Sequence, residues 1–465
     1  MIESKLYHLL DTFSSKELDY ISQRITHSHA QSYAHLQLWN HLQLILTSKI
    51  TDKSKETAFA NVFPDQKFND QKLRLCVSQL YKKIEHILFE KEIGNREILK
   101  AITLLEIYKS NSLPKHYQSQ LKKVQSLIDN AVIQDVDFLD KKIIVESEKY
   151  EVLISQKRNQ DLNIQNILDQ TDISYYAKKL KYICTAMAHQ AVYKIDYKLG
   201  NIEEILAAIA DLNVEDHPAL AIYHSCYQML CSPDDLERFS FFRSQLRKFQ
   251  QYFKREELRT IYLLGINVCI KKLNKGDKDF GRIGLDMYQE ALDNRSLLIN
   301  NKITRYTYRN VAMMAIRVGD FKWAADFTET NRDHLSKSDK KAAYHFNRAL
   351  INYNQKKLDA ALENIIEADF KDHLINLAAK TLQAKIYYEL DEDNLLYSHL
   401  DSMDMYIIRN KVLGYHRENY RNIISYLKKL LKHNPYDKEK TQKLKDKISE
   451  VKTLTEKSWF MTQLE

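Results

Sequence analysis

Between Tyr308 and Arg409 the chain repeats one arrangement of small and large residues three times, with a period of roughly 34 residues. In the first copy Ala312 is followed by Gly319-Asp320-Phe321 and Ala324. In the second, Ala349 is followed by Leu358-Asp359-Ala360-Ala361-Leu362 and Ala368. The third carries Ala384-Lys385-Ile386-Tyr387-Tyr388, with Leu396 where a small residue is expected. Each copy reads as two helices joined by a short link. Small residues let the two helices approach, and large ones fill the space between successive pairs. A unit this short cannot bury its own apolar face, so neighbouring units must stack.

The rest of the chain agrees with helices throughout. Its 465 residues include 8 Gly and 5 Pro, several times fewer than average usage of roughly 7% and 5%. Folds with many tight turns use both residues freely, whereas helices joined by short polar links need few. The expected fold is all-α: an antiparallel helix-hairpin solenoid with a helical N-terminal module. The reading divides the chain into a module at 1–94, irregular hairpins at 95–300, regular repeats at 301–410 and capping helices at 411–465.

Local signals place the elements. Ser14-Ser15-Lys16-Glu17 is a capping box and reads as the start of the first helix. A second helix is expected over Ala34–Lys49, and the polar stretch Thr51–Phe68 is a loop or a short helix. Asn69 then caps a helix with Leu73, Cys76, Val77, Leu80, Ile84 and Ile87 on its apolar face, closing near Gly94. Ile173–Lys194 and Ile202–Leu212 form a pair around Gly200-Asn201. Pro218 opens a helix ending near Cys231, and Ser232-Pro233-Asp234-Asp235 predicts the next start, with Ser232 as cap. Gly265, inside the helix Glu256–Leu273, marks close packing. Gly276-Asp277 ends that helix and Phe280–Leu292 turns back. Tyr415–Leu431 and a charged last helix from Asp437, an exposed cap with a polar outer face, complete the expectation.

The region Tyr308–Arg409, about a fifth of the chain, resembles tetratricopeptide repeats. Gly319-Asp320-Phe321-Lys322-Trp323-Ala324 and Ala349…Ala361…Ala368 carry the likeness most fully. The copies are degenerate: Ala315 stands where an aromatic is usual, and the third copy lacks its second small residue. The resemblance implies a right-handed superhelix whose first helices line a concave binding face. More loosely, the whole chain resembles a family of bacterial cytoplasmic proteins through Phe63-Pro64, Ile266-Asn267-Val268-Cys269-Ile270, Tyr308-Arg309-Asn310-Val311 and Ala384–Leu390. That family brings no activity with it.

Some tetratricopeptide domains grip a peptide carboxylate with Lys, Asn and Arg from three first helices. Here Arg309 and Asn347 suit that chemistry, but the other three positions hold Met313, Ala378 and Leu382, which cannot donate to a carboxylate. The expected groove is instead aromatic with a few cations: Tyr306, Arg309, Met313, Phe346, Asn347, Leu350, Tyr353, Lys385 and Tyr388. It suits an amphipathic helix or extended segment of another protein. Phe346 and Tyr353 would be its apolar anchors, with Arg309 and Lys385 fixing register. The abundance of Tyr, 29 in all, fits such a surface as well as an AT-rich coding sequence.

Other chemistry has little support. His27, His29, His35 and His41 crowd one stretch without a carboxylate or thiol at matching helical spacing. His224, Cys226 and Cys231 diverge around a helix, and the five cysteines form no CxxC pair, as expected of buried thiols in a reducing compartment. Of Gly276, Gly281 and Gly284, the first two have a faint phosphate-loop spacing, but Arg282-Ile283 replaces the required Lys-Ser/Thr and no strand precedes it, so the segment reads as a helix-pair linker. No metal, cofactor or catalytic residue is expected. No signal peptide or membrane span is evident, and a cytoplasmic location follows. The formal charge of +8 is small for this length. Residues 401–465 hold 14 Lys and Arg against 9 Asp and Glu, a basic terminus. The principal expectation is a non-enzymatic scaffold binding a partner segment. The alternative is a nucleic-acid-associated regulator using Lys72, Arg74, Lys82 and Lys83, although residues 1–100 balance 14 Lys and Arg with 12 Asp and Glu. A third, weaker reading is a membrane-surface adaptor using the basic terminal helix.

Overall fold

A computed structural model describes residues 4–26, 33–47, 52, 54–156, 162–193, 195–370, 372–410 and 414–465. Among these residues there are 23 α-helices and no strand, so the fold is all-α. Two compact units are present: residues 1–131 with 137–171, and residues 132–136 with 172–465.

The first unit holds α1 (Lys5–Asp11), α2 (Ser15–Thr26), α3 (Tyr33–Leu46), α4 (Lys55–Val62), α5 (Asp70–Gly94), α6 (Glu97–Ser110), α7 (Pro114–Asp129) and α8 (Val136–Gln156). The capping box opens α2 rather than the first helix. The Ser14 amide donates to Glu17 Oε2 at 2.9 Å, and Glu17 N–H returns a bond to Ser14 Oγ. A shorter helix precedes it, capped by Ser4. Asn69 caps α5 by accepting from Lys72 N–H. One core joins Leu10, Ile21, Leu38, Trp39 and Leu42 to the buried stripe Cys76, Leu80, Ile84 and Ile87 of α5.

Helix α9 (Ile164–Tyr193) has residues in both units. The second unit continues with α10 (Ile202–Ala210), α11 (Pro218–Cys231), α12 (Leu236–Phe249), α13 (Arg255–Asn274), α14 (Asp279–Asp293), α15 (Arg305–Arg317) and α16 (Phe321–Thr330). It ends with α17 (Lys340–Asn354), α18 (Leu358–Ile366), α19 (His373–Glu389), α20 (Asp393–Arg409), α21 (Gly414–Leu431), α22 (Lys438–Glu450) and α23 (Lys457–Gln463). Helix α12 starts later than Ser232 suggests, because Asp235 is the cap and accepts from the amides of Glu237 and Arg238. Ser232 Oγ accepts instead from the Arg238 guanidinium.

From α13 to α20 each helix packs on its hairpin partner, and the second helix of each pair packs on the first of the next. First helices also touch first helices: α15 meets α17, α17 meets α19, and α19 meets α21. The small residues sit at these contacts, with Ala312, Ala324, Ala349 and Ala361 wholly buried. Gly265 lies where a Cβ would come 2.7 Å from Met287 Cε and 2.8 Å from Phe242 Cε1, so it permits close helix approach. Gly281 and Gly284 belong to α14, against Val318 and Met314, and not to a loop.

The link within each hairpin has one recurring geometry. A residue in the left-handed region follows the helix end, and the next amide reaches back to a carbonyl five residues earlier, as in a Schellman cap. Gly276, Gly319, Lys356 and Asp391 take this conformation in four successive hairpins, from α13/α14 to α19/α20. The reaching amides are those of Asp277, Asp320, Lys357 and Glu392, at 3.2, 2.9, 2.9 and 2.9 Å. Ser112 and Leu113 do the same between α6 and α7.

Candidate functional site

The first helices of the repeats are held in line at both ends. Arg305, the first residue of α15, donates to Asp339 at the start of α17 and to Asp372 at the start of α19, each at 3.1 Å. Tyr306 O–H also donates to Asp372, at 2.6 Å. Burial would raise the Asp372 carboxyl, but Tyr306, the Ile375 amide and Arg305 outweigh it and hold it low. At the other end Glu389 is the hub. It accepts from Tyr353 O–H, from Lys356 Nζ at 3.0 Å and from Trp459 Nε1 at 2.8 Å. Burial acts to raise its carboxyl, and these three donors more than reverse that.

The nine expected groove residues fall into three groups. Phe346, Asn347, Leu350 and Tyr353 are buried. Phe346 is 2% exposed and packs edge-on against Phe370 with ring centres 5.7 Å apart. Asn347 spends its amide on the Tyr308 carbonyl of the preceding first helix, at 3.1 Å. These four therefore bind the repeats to one another; they are not side chains standing free to meet a partner. Lys385 and Tyr388 are half-buried beneath the C-terminal segment. Lys385 Nζ pairs with Glu456 at 2.9 Å and lies over the rings of Tyr353 and Trp459, while Tyr388 packs edge-on against Trp459. Tyr306, Arg309 and Met313 of α15 remain, of which Tyr306 is exposed and the others half-buried.

Arg309 has an unusual setting. Its guanidinium stacks 5.5 Å from the centre of the Phe346 ring. No hydrogen bond or ion pair ties it to any described residue, and its Nε is enclosed without an acceptor. Burial disfavours its charge, and Tyr420 and Glu456 only partly offset this from a distance. An arginine stays protonated even so, which leaves a cation short of an acceptor.

The segment that covers Lys385 and Tyr388 was missed in the sequence. The charged helix α22 is not the end of the fold. A six-residue link leads to α23, where Phe460 is fully buried against Tyr426. The signal was there, in the cluster Trp459-Phe460-Met461…Leu464 after a polar helix.

The remaining candidates do not assemble. His27 and His29 lie outside the described residues. His35 pairs with Gln79 and His41 with Asn61. Cys231 is exposed rather than buried, while the other four thiols are buried. No group of three potential metal ligands occurs among the described residues. In α5, Arg74 pairs with Asp70, and Lys72 lies over the Phe63 ring. In α22, Lys443 pairs with Glu439, and Lys440 with the capping Asp437, so part of the basic charge is neutralised locally. No helix among the described residues is long and apolar enough to cross a membrane.

No family model matches the chain, and no curated protein matches it. Among solved structures it is similar to the crystal structure of the APC/C hetero-tetramer Cut9-Hcn1. That likeness covers 90% of this chain and 84% of the other, at 11% identity and a TM-score of 0.27. So low a score lends no weight to fold or function. The helix-hairpin class rests on the contacts described above.

Proposed function

We propose that the chain is a non-catalytic interaction scaffold that holds a segment of another protein against the first helices of its repeats. The carrying observation is Arg309, a cation packed on an aromatic ring with no acceptor among the described residues. Tyr306 and Met313 on the same helix supply an apolar and polar border, so the face suits an amphipathic helix that offers one acidic side chain. A charge-assisted hydrogen bond to a half-buried guanidinium is worth roughly twice a neutral one. Register would therefore depend on Arg309, and affinity on the apolar contacts around it.

The test is affinity capture with the tagged full-length chain beside its Arg309→Ala and Tyr306→Ala/Met313→Ala forms. Prey bound by the native chain is expected to fall at least about tenfold with either variant, while circular dichroism shows the repeats still folded with a midpoint lowered by only a few degrees. Prey bound equally by all three would remove this face from consideration.

A further inference from the structure

Helix α23 has seven residues, too few to be stable alone in water. Its order comes from what it lies on. Ile448 is the one buried residue of α22, and residues 451–465 are anchored by the buried Leu454, Phe460 and Leu464, with Val451, Trp459 and Met461 partly buried beside them. Asn419 Oδ1 accepts from the Thr455 amide at 2.8 Å, and Asn422 donates to the Thr453 carbonyl at 2.8 Å. The other contacts are of a different kind. Glu456 and Trp459 meet Lys385, Tyr388 and Glu389, side chains of a first helix that faces the expected partner. An acid pairs with a cation, an indole N–H with an acid, and an indole ring packs on a tyrosine. These are the contacts a bound amphipathic helix makes with a receptor groove.

We infer that residues 451–465 are an intramolecular ligand of the repeat face, and that this face fits a partner helix carrying an acidic residue and a tryptophan three positions later. The inference rests on the reading of the first helices as a protein-binding face, and it adds the chemistry of the partner and a competitor already in place. Because the arm is tethered, its effective concentration at the face is of millimolar order. A partner helix of equal intrinsic affinity thus sees a site that is mostly closed, and its apparent Kd rises by the inverse of the open fraction. For an intrinsic Kd near 10 μM the weakening is roughly a hundredfold. Segments of a fold can open locally without global unfolding, so the site is closed without being sealed.

The experiment uses a fluorescein-labelled peptide of residues 451–465 and full-length chains. Glu456→Lys, facing Lys385, and Trp459→Ala/Phe460→Ala each loosen the arm without changing any residue of α15, α17 or α19. Circular dichroism and backbone exchange verify that the repeats stay folded while the arm gains exchange. The loosened chains are expected to bind the peptide, the native chain to bind it at least about tenfold more weakly, and Lys385→Glu in the Trp459→Ala/Phe460→Ala chain to abolish binding. Equal binding by native and loosened chains would mean that the arm does not occupy the face. Absence of binding by the loosened chains would make the arm a permanent wall, and either result overturns the inference. Loss of partner capture on Arg309→Ala with no peptide binding would leave the scaffold reading standing alone. Peptide binding with capture indifferent to Arg309 would do the reverse.

Discussion

Replacing Phe346 by Ala separates a packing role for this ring from a binding role. At 2% exposure the ring is enclosed between first helices, edge-on to Phe370 and beneath the Arg309 guanidinium. Truncating a buried Phe costs about 3–5 kcal/mol, part of it from the cavity left behind. The aromatic pair contributes about 0.5–1.5 kcal/mol of this, and the cation–π contact about 0.5–2 kcal/mol. The upper half of the range is expected, since the Arg309 stem cannot fill an enclosed apolar space. For a unit of this size each kcal/mol lowers the midpoint by about 2–4 °C, giving a fall of roughly 10 °C for the repeat transition. Circular dichroism on heating reads it directly. Tyr306→Ala is the control: its ring is 48% exposed, and the Asp372 carboxylate it serves keeps its bond to Arg305. Its cost should be about 1 kcal/mol. A Phe346→Ala chain that melts within 2 °C of the native one, by the ~2–4 °C scale above, would refute the packing argument and return the ring to the binding surface.

Further outcomes follow from single residues. Gly265→Ala should destabilise by about 1–2 kcal/mol in urea titration, since overpacking against Phe242 exceeds the helix-propensity gain of about 1 kcal/mol. Gly94→Ala, with nothing within 4 Å of the added carbon, should be neutral or stabilising. Burial holds His41 below its ordinary pKa, so the folded first unit keeps it neutral while the unfolded chain takes up a proton near pH 6.5. Its contribution is complete above that pH and lost as pH falls toward the depressed folded value. The stability difference between the native chain and His41→Leu should therefore change as pH falls below about 6.5 and stay flat above about pH 7. Alkylation of the native protein should mark Cys231 alone, the exposed thiol, because burial also pushes Cys76 up to about 11 and Cys269 up to about 12. Rapid labelling of either buried thiol would contradict the packing of its helix.

Much of the fold was legible because helices announce their ends locally. Asn69, Asp437 and the Ser14–Glu17 box cap the helices that their patterns predict. The stripe from Leu73 to Ile87 is the buried face of α5. Less legible was the recurring turn. Gly276 and Gly319 signal it, but Lys356 and Asp391 adopt the same left-handed conformation with a side chain, at a cost of about 1–2 kcal/mol that the surrounding cap must offset. Helical period shows which residues share a stripe, not how many neighbours cover it. A first helix in a stack meets its own partner, the preceding pair and the following pair. Phe346 and Leu350 share a stripe with the expected groove and are nevertheless enclosed. The covering of Lys385 and Tyr388 could not be read at all, because it depends on residues about 70 positions further along the chain, as the Lys385–Glu456 pair shows.

The repeat face is tested most directly by where a captured partner touches the chain. Hydrogen exchange of the complex, compared with the free protein, maps that contact peptide by peptide. New protection is predicted over Arg305–Arg317 and His373–Glu389, together with faster exchange across residues 451–465 as the arm gives way. Protection confined to the first unit, with these helices and the arm unchanged, would contradict it.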